Sequence, residues 1–228
     1  MSQTKERPIL FSGPMVRAIL EGRKTVTRRL VKGGQYPVFN GDEPEHGLAW
    51  TAVAQRHPRY GFCVSGATEE QCAAELSVHG LCPYGKAGDR LWVRETCLIN
   101  DYRDNDVPEA ERTETQVIYK ADGLPDWEGE EAEIRWRPSI HMPRWCSRIL
   151  LEITAARVER LQDITEDQSR AEGAAPAWLD ADDNETVYAA SAPTYRQGFA
   201  KLWRDINGDE AWGTNPWVWV VEFKRVMP

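Results

Sequence analysis

The sequence of 228 residues has no stretch of 18 consecutive apolar residues and no apolar run near its start, so nothing in it reads as a membrane span or a signal peptide. The cytoplasm is the expected compartment, with no membrane partner. Cysteine is scarce and irregular: Cys63, Cys72, Cys82, Cys97 and Cys146 make an odd number at uneven spacing. That argues against a disulfide framework and suits a reducing environment. Cys63, Cys72, His79 and Cys82 come nearest to a zinc set, but the gaps of eight, six and two residues lack the paired short spacings of structural sites, so no metal is expected. Also missing are a Gly-rich phosphate loop, a Ser-His-Asp ordering and a dinucleotide fingerprint. No cofactor is expected.

What is present is a strongly uneven charge. The formal net charge is -8, yet residues 101–133 hold twelve Asp or Glu against Arg103, Arg112 and Lys120, which leaves the rest of the chain close to neutral. Residues 17–32 carry Arg17, Arg23, Lys24, Arg28, Arg29 and Lys32 against Glu21 alone, enough positive charge to attract an anionic ligand or a phosphate backbone, or simply a solvated charged turn. Ten tryptophans are many for this length. They are compatible with flat ligands stacked on indole rings, and equally with a core.

Periodicity gives an α+β order of elements. "RPILFS" reads as a strand, and "SGPMVRAILEG" as a helix with Ser12 as N-cap, Pro14 in the first turn, a stripe of Met15, Ile19 and Leu20, and Gly22 as the stop. "KTVTRRLV" is β-branched and reads as a strand, whereas 33–81 looks like an elaborated loop with one short helix near 69–76. A Gly-Asp turn feeds the strand "RLWVR", "SRILLEITAARVERL" is a long strand, and "DITEDQSRAEG" is a compact helix with a Thr165/Gln168 capping box and Gly173 as its stop. "YRQGFAKLWRDING" is a last helix, and "NPWVWVVEFKRV" closes the chain as a strand whose unbroken apolar start, 217–221, implies cover on both faces. One domain spanning 1–228 is expected, with irregular insertions at about 33–81, 99–135 and 174–193. The acidic stretch is expected at an edge of the fold, away from the basic run or as a lid over it.

The helix ending in "EGRKTVTRR", the "GDRLWVRE" turn and strand, the "LQDITEDQSRAEG" helix and the terminal "WVVEF" strand together resemble the ASCH domains of the PUA-like superfamily. The likeness is greatest to a large, often prophage-encoded branch. More distantly the chain is similar to small bacterial amidohydrolases that deacylate cytidine modified on its exocyclic amine. The resemblance covers about residues 7–32, 84–96 and 147–226 and leaves the insertions outside. It implies a PUA-like mixed β-barrel with flanking helices and loop insertions. It also implies a catalytic group of Lys24, Thr27 and Glu172, because those positions match the lysine and second threonine of a "GRKTxT" run and a glutamate late in the helix after the long strand. Many ASCH proteins have an acidic residue where Thr27 stands, so its hydroxyl favours the hydrolase branch.

Elementary chemistry sets a condition on that group. A threonine hydroxyl needs a base, and a lysine serves as one when burial or neighbouring cations lower its pKa. Arg23, Arg28 and Arg29 are such cations, and Arg23 and Arg29 are also candidates for contacting the substrate. In an ideal strand residues three apart face opposite ways, so Lys24 and Thr27 can meet only if the run is turned or bulged near Thr25. Glu172 is locally misplaced at the negative end of a helix dipole unless a cation holds it across a pocket. Phe11, Trp92 and Trp145 are candidates for stacking on a base, Glu95 for accepting from a cytosine amine or pairing with Arg94 or Arg148, and His141 for a place near the pocket. Three functions follow as expectations: an amidohydrolase acting on an acylated nucleoside, an RNA- or modified-base-binding module, and a ribonuclease.

Overall fold

The apolar run "RPILF" becomes β1 (Glu6–Leu10) in the computed structural model, which describes residues 4–41, 48–54, 62–100, 107–112, 116–123, 135–178 and 192–227. Two compact units divide the chain, the first made of Met1–Gly22, Gly88–Glu152 and Lys224–Pro228, the second of Arg23–Ala87 and Ile153–Phe223.

In the first unit β1 runs parallel to β6 (Arg90–Arg94), with Ile9 opposite Val93. Helix α1 (Gly13–Leu20) begins where Ser12 is still extended and Pro14 occupies the first turn, a position whose N–H would have no helical partner anyway. Met15, Val16, Ala18 and Ile19 are its buried residues, so the apolar face is wider than the expected stripe and leaves Leu20 only half-buried. β6 pairs antiparallel with the first residues of the long strand β9 (Leu150–Arg160), Leu91 opposite Leu151. β7 (Cys97–Asn100) and β8 (Gln116–Tyr119) form an antiparallel ladder, with Cys97, Ile99, Val107, Met142 and Cys146 packed in one cluster. The region 99–135, expected to be irregular, therefore contributes a strand. Most of the acidic stretch, and with it the expected edge insertion or lid, lies outside the described residues.

The second unit contains β2 (Val26–Leu30), which pairs antiparallel with β10 (Trp217–Val226), Thr27 opposite Val221. Side chains alternate along β10. Val218 and Val220 pack with Val26, Phe199, Ala200 and Trp203, and so against α4 (Tyr195–Asn207). Trp217 and Trp219 pack with Ala52, Cys72, Ala73 and Leu76, and so against α2 (Glu69–His79). Both faces of the terminal strand are covered, which is why its sequence is apolar without interruption.

The short helix expected near 69–76 is present as α2, but the loop expected over the rest of 33–81 is corrected: β3 (Val38–Phe39), β4 (Trp50–Val53) and β5 (Cys63–Gly66) form a three-stranded antiparallel sheet there. Strands of two and four residues are too short to show a period. The close fit leaves one trace in the sequence: a Cβ on Gly66 would stand 2.4 Å from the backbone nitrogen of Cys72, so only glycine lets β5 lie this near α2. α3 (Glu166–Ala171) has the expected capping box, with Thr165 accepting from the Gln168 N–H and Gln168 accepting from the Thr165 N–H. It stops as expected at Gly173, whose φ is +80°. Bonds from Gly173 to Arg170 and from Ala174 to Ser169 make this end a Schellman motif. Of the insertion expected over 174–193, residues 179–191 lie outside the described residues.

The architecture is α+β. Five strands follow one another in the hydrogen-bonded order β1, β6, β9, β10, β2, so β10 is an interior strand as its sequence predicts. The order is open at both ends and, among the described residues, no sheet closes into the expected barrel. The apolar run on β10 does not require closure, because helices cover it on both sides. Among the described residues no helix is long and apolar enough to cross a membrane.

Candidate active site

Lys24, Thr27 and Glu172 all belong to the second unit, and each is 3% exposed. Two local structures bring them in. Regular strand begins only at Val26, so Lys24 lies on the approach to β2, where the Thr25 N–H bonds the Ala171 carbonyl and the Thr25 carbonyl accepts from Phe223. Glu172 is the C-cap of α3, with φ -70° and ψ -9°. The bond from Thr25 to Ala171 thus joins the start of β2 to the end of α3.

The lysine fills the space between them. Its Nζ donates to Oε2 of Glu172 at 2.7 Å, to the carbonyl of Glu172 at 2.8 Å and to the carbonyl of Val26 at 2.8 Å. The Val26 carbonyl belongs to the peptide that joins Val26 to Thr27. Lys24 stands outside the regular strand, so the rule that residues three apart face opposite ways does not apply to Lys24 and Thr27. Its position at the carbonyl end of α3 also answers the dipole objection to Glu172, because a cation at that end stabilises both the last carbonyl and the carboxylate.

Burial holds Lys24 below its ordinary value of 10.5, against the opposing pull of Glu172, and the charges of Arg29 and then Arg28 lower it further. Burial and neighbouring cations were both expected to lower it: taking the ammonium out of water is the larger effect, and of the three expected cations Arg29 and Arg28 add to it.

Arg28 is the residue that sequence reasoning used only as a charge. Its side chain is fully buried. Nη1 reaches Oε1 of Glu172 at 3.4 Å, and Nη2 donates to Gln168 at 2.9 Å and to Glu159 at 3.3 Å. Glu159 in turn pairs with Arg157, which pairs with Glu222. The signal was legible in principle, because Arg28 shares the inward phase of β2 with Val26, and a cation there demands carboxylates. Arg23 is exposed and Arg29 half-buried.

The other candidates lie in the first unit. Phe11 is buried just after β1, with its N–H on the Arg94 carbonyl. Trp92 is buried in β6 with the guanidinium groups of Arg94 and Arg144 at 4.6 and 5.8 Å from its ring. Trp145 is half-buried, with Arg112 at 5.9 Å from its ring. Of the partners foreseen for Glu95, Arg148 is the one that forks onto both carboxylate oxygens, at 2.9 Å each. His141 is exposed at the end of a short 3-10 turn. Cys72 donates weakly to the Val64 carbonyl, His79 pairs with Glu75, and among the described residues no group of His, Cys, Asp or Glu is arranged to hold a metal ion.

Comparisons with protein families, with curated proteins and with solved structures returned no match to this chain.

Proposed function

We propose that the chain is an amidohydrolase that removes an acyl group from the exocyclic amine of cytidine or a related nucleoside, with Lys24 as base, Thr27 as nucleophile and Glu172 as proton carrier. The observation that carries this reading is the buried Lys24, held against Glu172 and at the Val26–Thr27 peptide, with its pKa lowered by burial. A neutral amine has a lone pair for the Thr27 proton. Once protonated, the ammonium finds three oxygen acceptors, so the surroundings of Nζ suit the product of that proton transfer. The resemblance to the ASCH group supports the same three residues.

In this mechanism the Thr27 hydroxyl gives its proton to Nζ as Oγ bonds to the acyl carbon. The tetrahedral adduct collapses with cleavage of the carbon–nitrogen bond, and the departing amine takes a proton through Glu172 from Lys24. Water then hydrolyses the threonine ester, delivering its proton by the same route and restoring the hydroxyl. No cofactor enters these steps.

An RNA-binding or ribonuclease reading is the alternative, and it would use the basic run as a phosphate contact. Lys24 and Arg28 are turned onto internal carboxylates, which removes two of its cations from that role. The deciding experiment is a panel of N-acylated cytidines followed by the ultraviolet change on deacylation. Turnover of a free nucleoside is expected. Its absence, together with oligonucleotide binding that weakens steeply with salt, would replace the hydrolase with the nucleic-acid reading.

A further inference from the structure

Gln168 and Glu172 are four residues apart, so they lie one above the other along α3 and its cap. A single guanidinium spans them. Arg28 gives Nη2 to Gln168 at 2.9 Å and Nη1 to the far oxygen of Glu172 at 3.4 Å, while Lys24 holds the near oxygen at 2.7 Å. Its Nε is buried without a hydrogen-bond partner among the described residues. That arginine is therefore oriented by the carboxylates and the glutamine at the expense of one unsatisfied donor.

We propose that Arg28 is a positioning residue for the Lys24–Thr27 site: it fixes Glu172 so that one carboxylate oxygen faces Lys24, and it keeps a permanent positive charge beside that lysine. The bearing on catalysis rests on the hydrolase reading. An arginine is effectively never deprotonated, so among the three groups only the lysine and the glutamate can exchange a proton. The charged groups near Lys24 are Glu172 at the end of α3 and Arg28 and Arg29 on β2. Behind Arg28 stand Glu159, then Arg157, then Glu222. Signs alternate outwards along this chain. Removing the charge of Arg28 should strengthen the hold of Lys24 on its proton, and removing that of Glu159 should weaken it. A clamp with a purely structural role gives no such opposition, since both changes break the same contact.

The test is a titration of Lys24 followed by NMR at its Cε and Nζ in the full chain, comparing wild type, Arg28→Gln, Arg28→Lys and Glu159→Gln, with the pH profile of kcat for acylcytidine read alongside. In Arg28→Gln the midpoint is expected to rise by about one pH unit, in line with the loss of one charge at short range. In Glu159→Gln it falls, and in Arg28→Lys it stays near wild type. Shifts of the same sign in Arg28→Gln and Glu159→Gln, or none, overturn the proposal. If Arg28→Gln does not fold, an unmoved midpoint in Glu159→Gln overturns it alone. A wild type that titrates as described but deacylates nothing defeats the hydrolase reading and leaves the placement of Glu172 by Arg28 standing. Turnover without the opposed shifts defeats the Arg28 proposal only.

Discussion

Each unit buries a glutamate against cations, and the two are held differently. In the first unit Glu95 is gripped by both arms of Arg148, which also holds Asp122 through two bonds and lies 3.8 Å from the centre of the Tyr119 ring. Burial works against the charge of Arg148, but hydrogen bonds to Glu95 and Asp122 outweigh it and raise its pKa above the ordinary value. Burial also pushes the Tyr119 phenol up to about 12. In the second unit Glu172 is shared between Arg28 and a lysine whose pKa burial lowers. In the first unit the cation is held further from losing its proton, and in the second burial brings the cation nearer to losing it, because lysine stands where the first unit uses arginine.

The largest effect expected from breaking this contrast is Lys24→Arg. On the proposed hydrolase reading arginine keeps the charge and abolishes the base, so deacylation should fall by about 10^3-fold or more, and Thr27→Ala should do the same by removing the proposed nucleophile. Retention of most activity in Lys24→Arg would show that the lysine acts by charge alone. In the first unit the expected loss is in stability. Arg148→Met leaves Glu95 buried without its fork, at a cost of about 3 kcal/mol in urea unfolding. Turnover measured where this variant is still folded should persist. Lost turnover at unchanged stability would mean that Glu95 and Arg148 serve the substrate instead of the fold.

A third contrast is in pH dependence. Lys24 has a folded-state pKa below 10.5, so between its lowered value and 10.5 the unfolded chain binds more protons than the folded one. Stability from this group is fully present above 10.5 and is lost as pH falls through the folded value. Wild type minus Lys24→Met should therefore gain stability as pH rises through that window, with a slope no steeper than about 1.4 kcal/mol per pH unit. A flat difference would show that Lys24 stays charged in the folded state.

Much of this was legible where one residue answers one local rule. Pro14 stands in the first turn of α1, where the Ser12 hydroxyl makes no capping bond, Thr165 and Gln168 start α3, Gly173 stops it, and the apolar run of β10 marks an interior strand. The short sheet over 38–66 was not legible, because its strands hold two to four residues each and its evidence is a contact, Gly66 against α2. The barrel was what the resemblance implied, and the burial of β10 on both faces agrees equally with an open sheet between helices. At the site, Lys24 and Glu172 came from the resemblance. Arg28 was missed as a partner because its meaning depends on Glu159, Gln168 and Glu172, which lie more than 130 residues away in sequence.

The smallest effect separates what holds α3 from what holds the site. A helix of six residues is too short to be stable alone, so its ends matter. Thr165→Ala removes the hydroxyl that accepts from the Gln168 N–H and should cost about 1 kcal/mol. Gln168→Ala removes the reciprocal bond and also the acceptor that Arg28 uses. The longer helix α4 supplies the control, since Thr194 and Gln197 form the same box there. If the Arg28 bond matters, the excess of Gln168→Ala over Thr165→Ala should be larger than that of Gln197→Ala over Thr194→Ala, by a few tenths to about 1 kcal/mol in unfolding measurements. Equal excesses would mean that Gln168 caps the helix and nothing more, and the hold of Arg28 would then rest on Glu159 and Glu172.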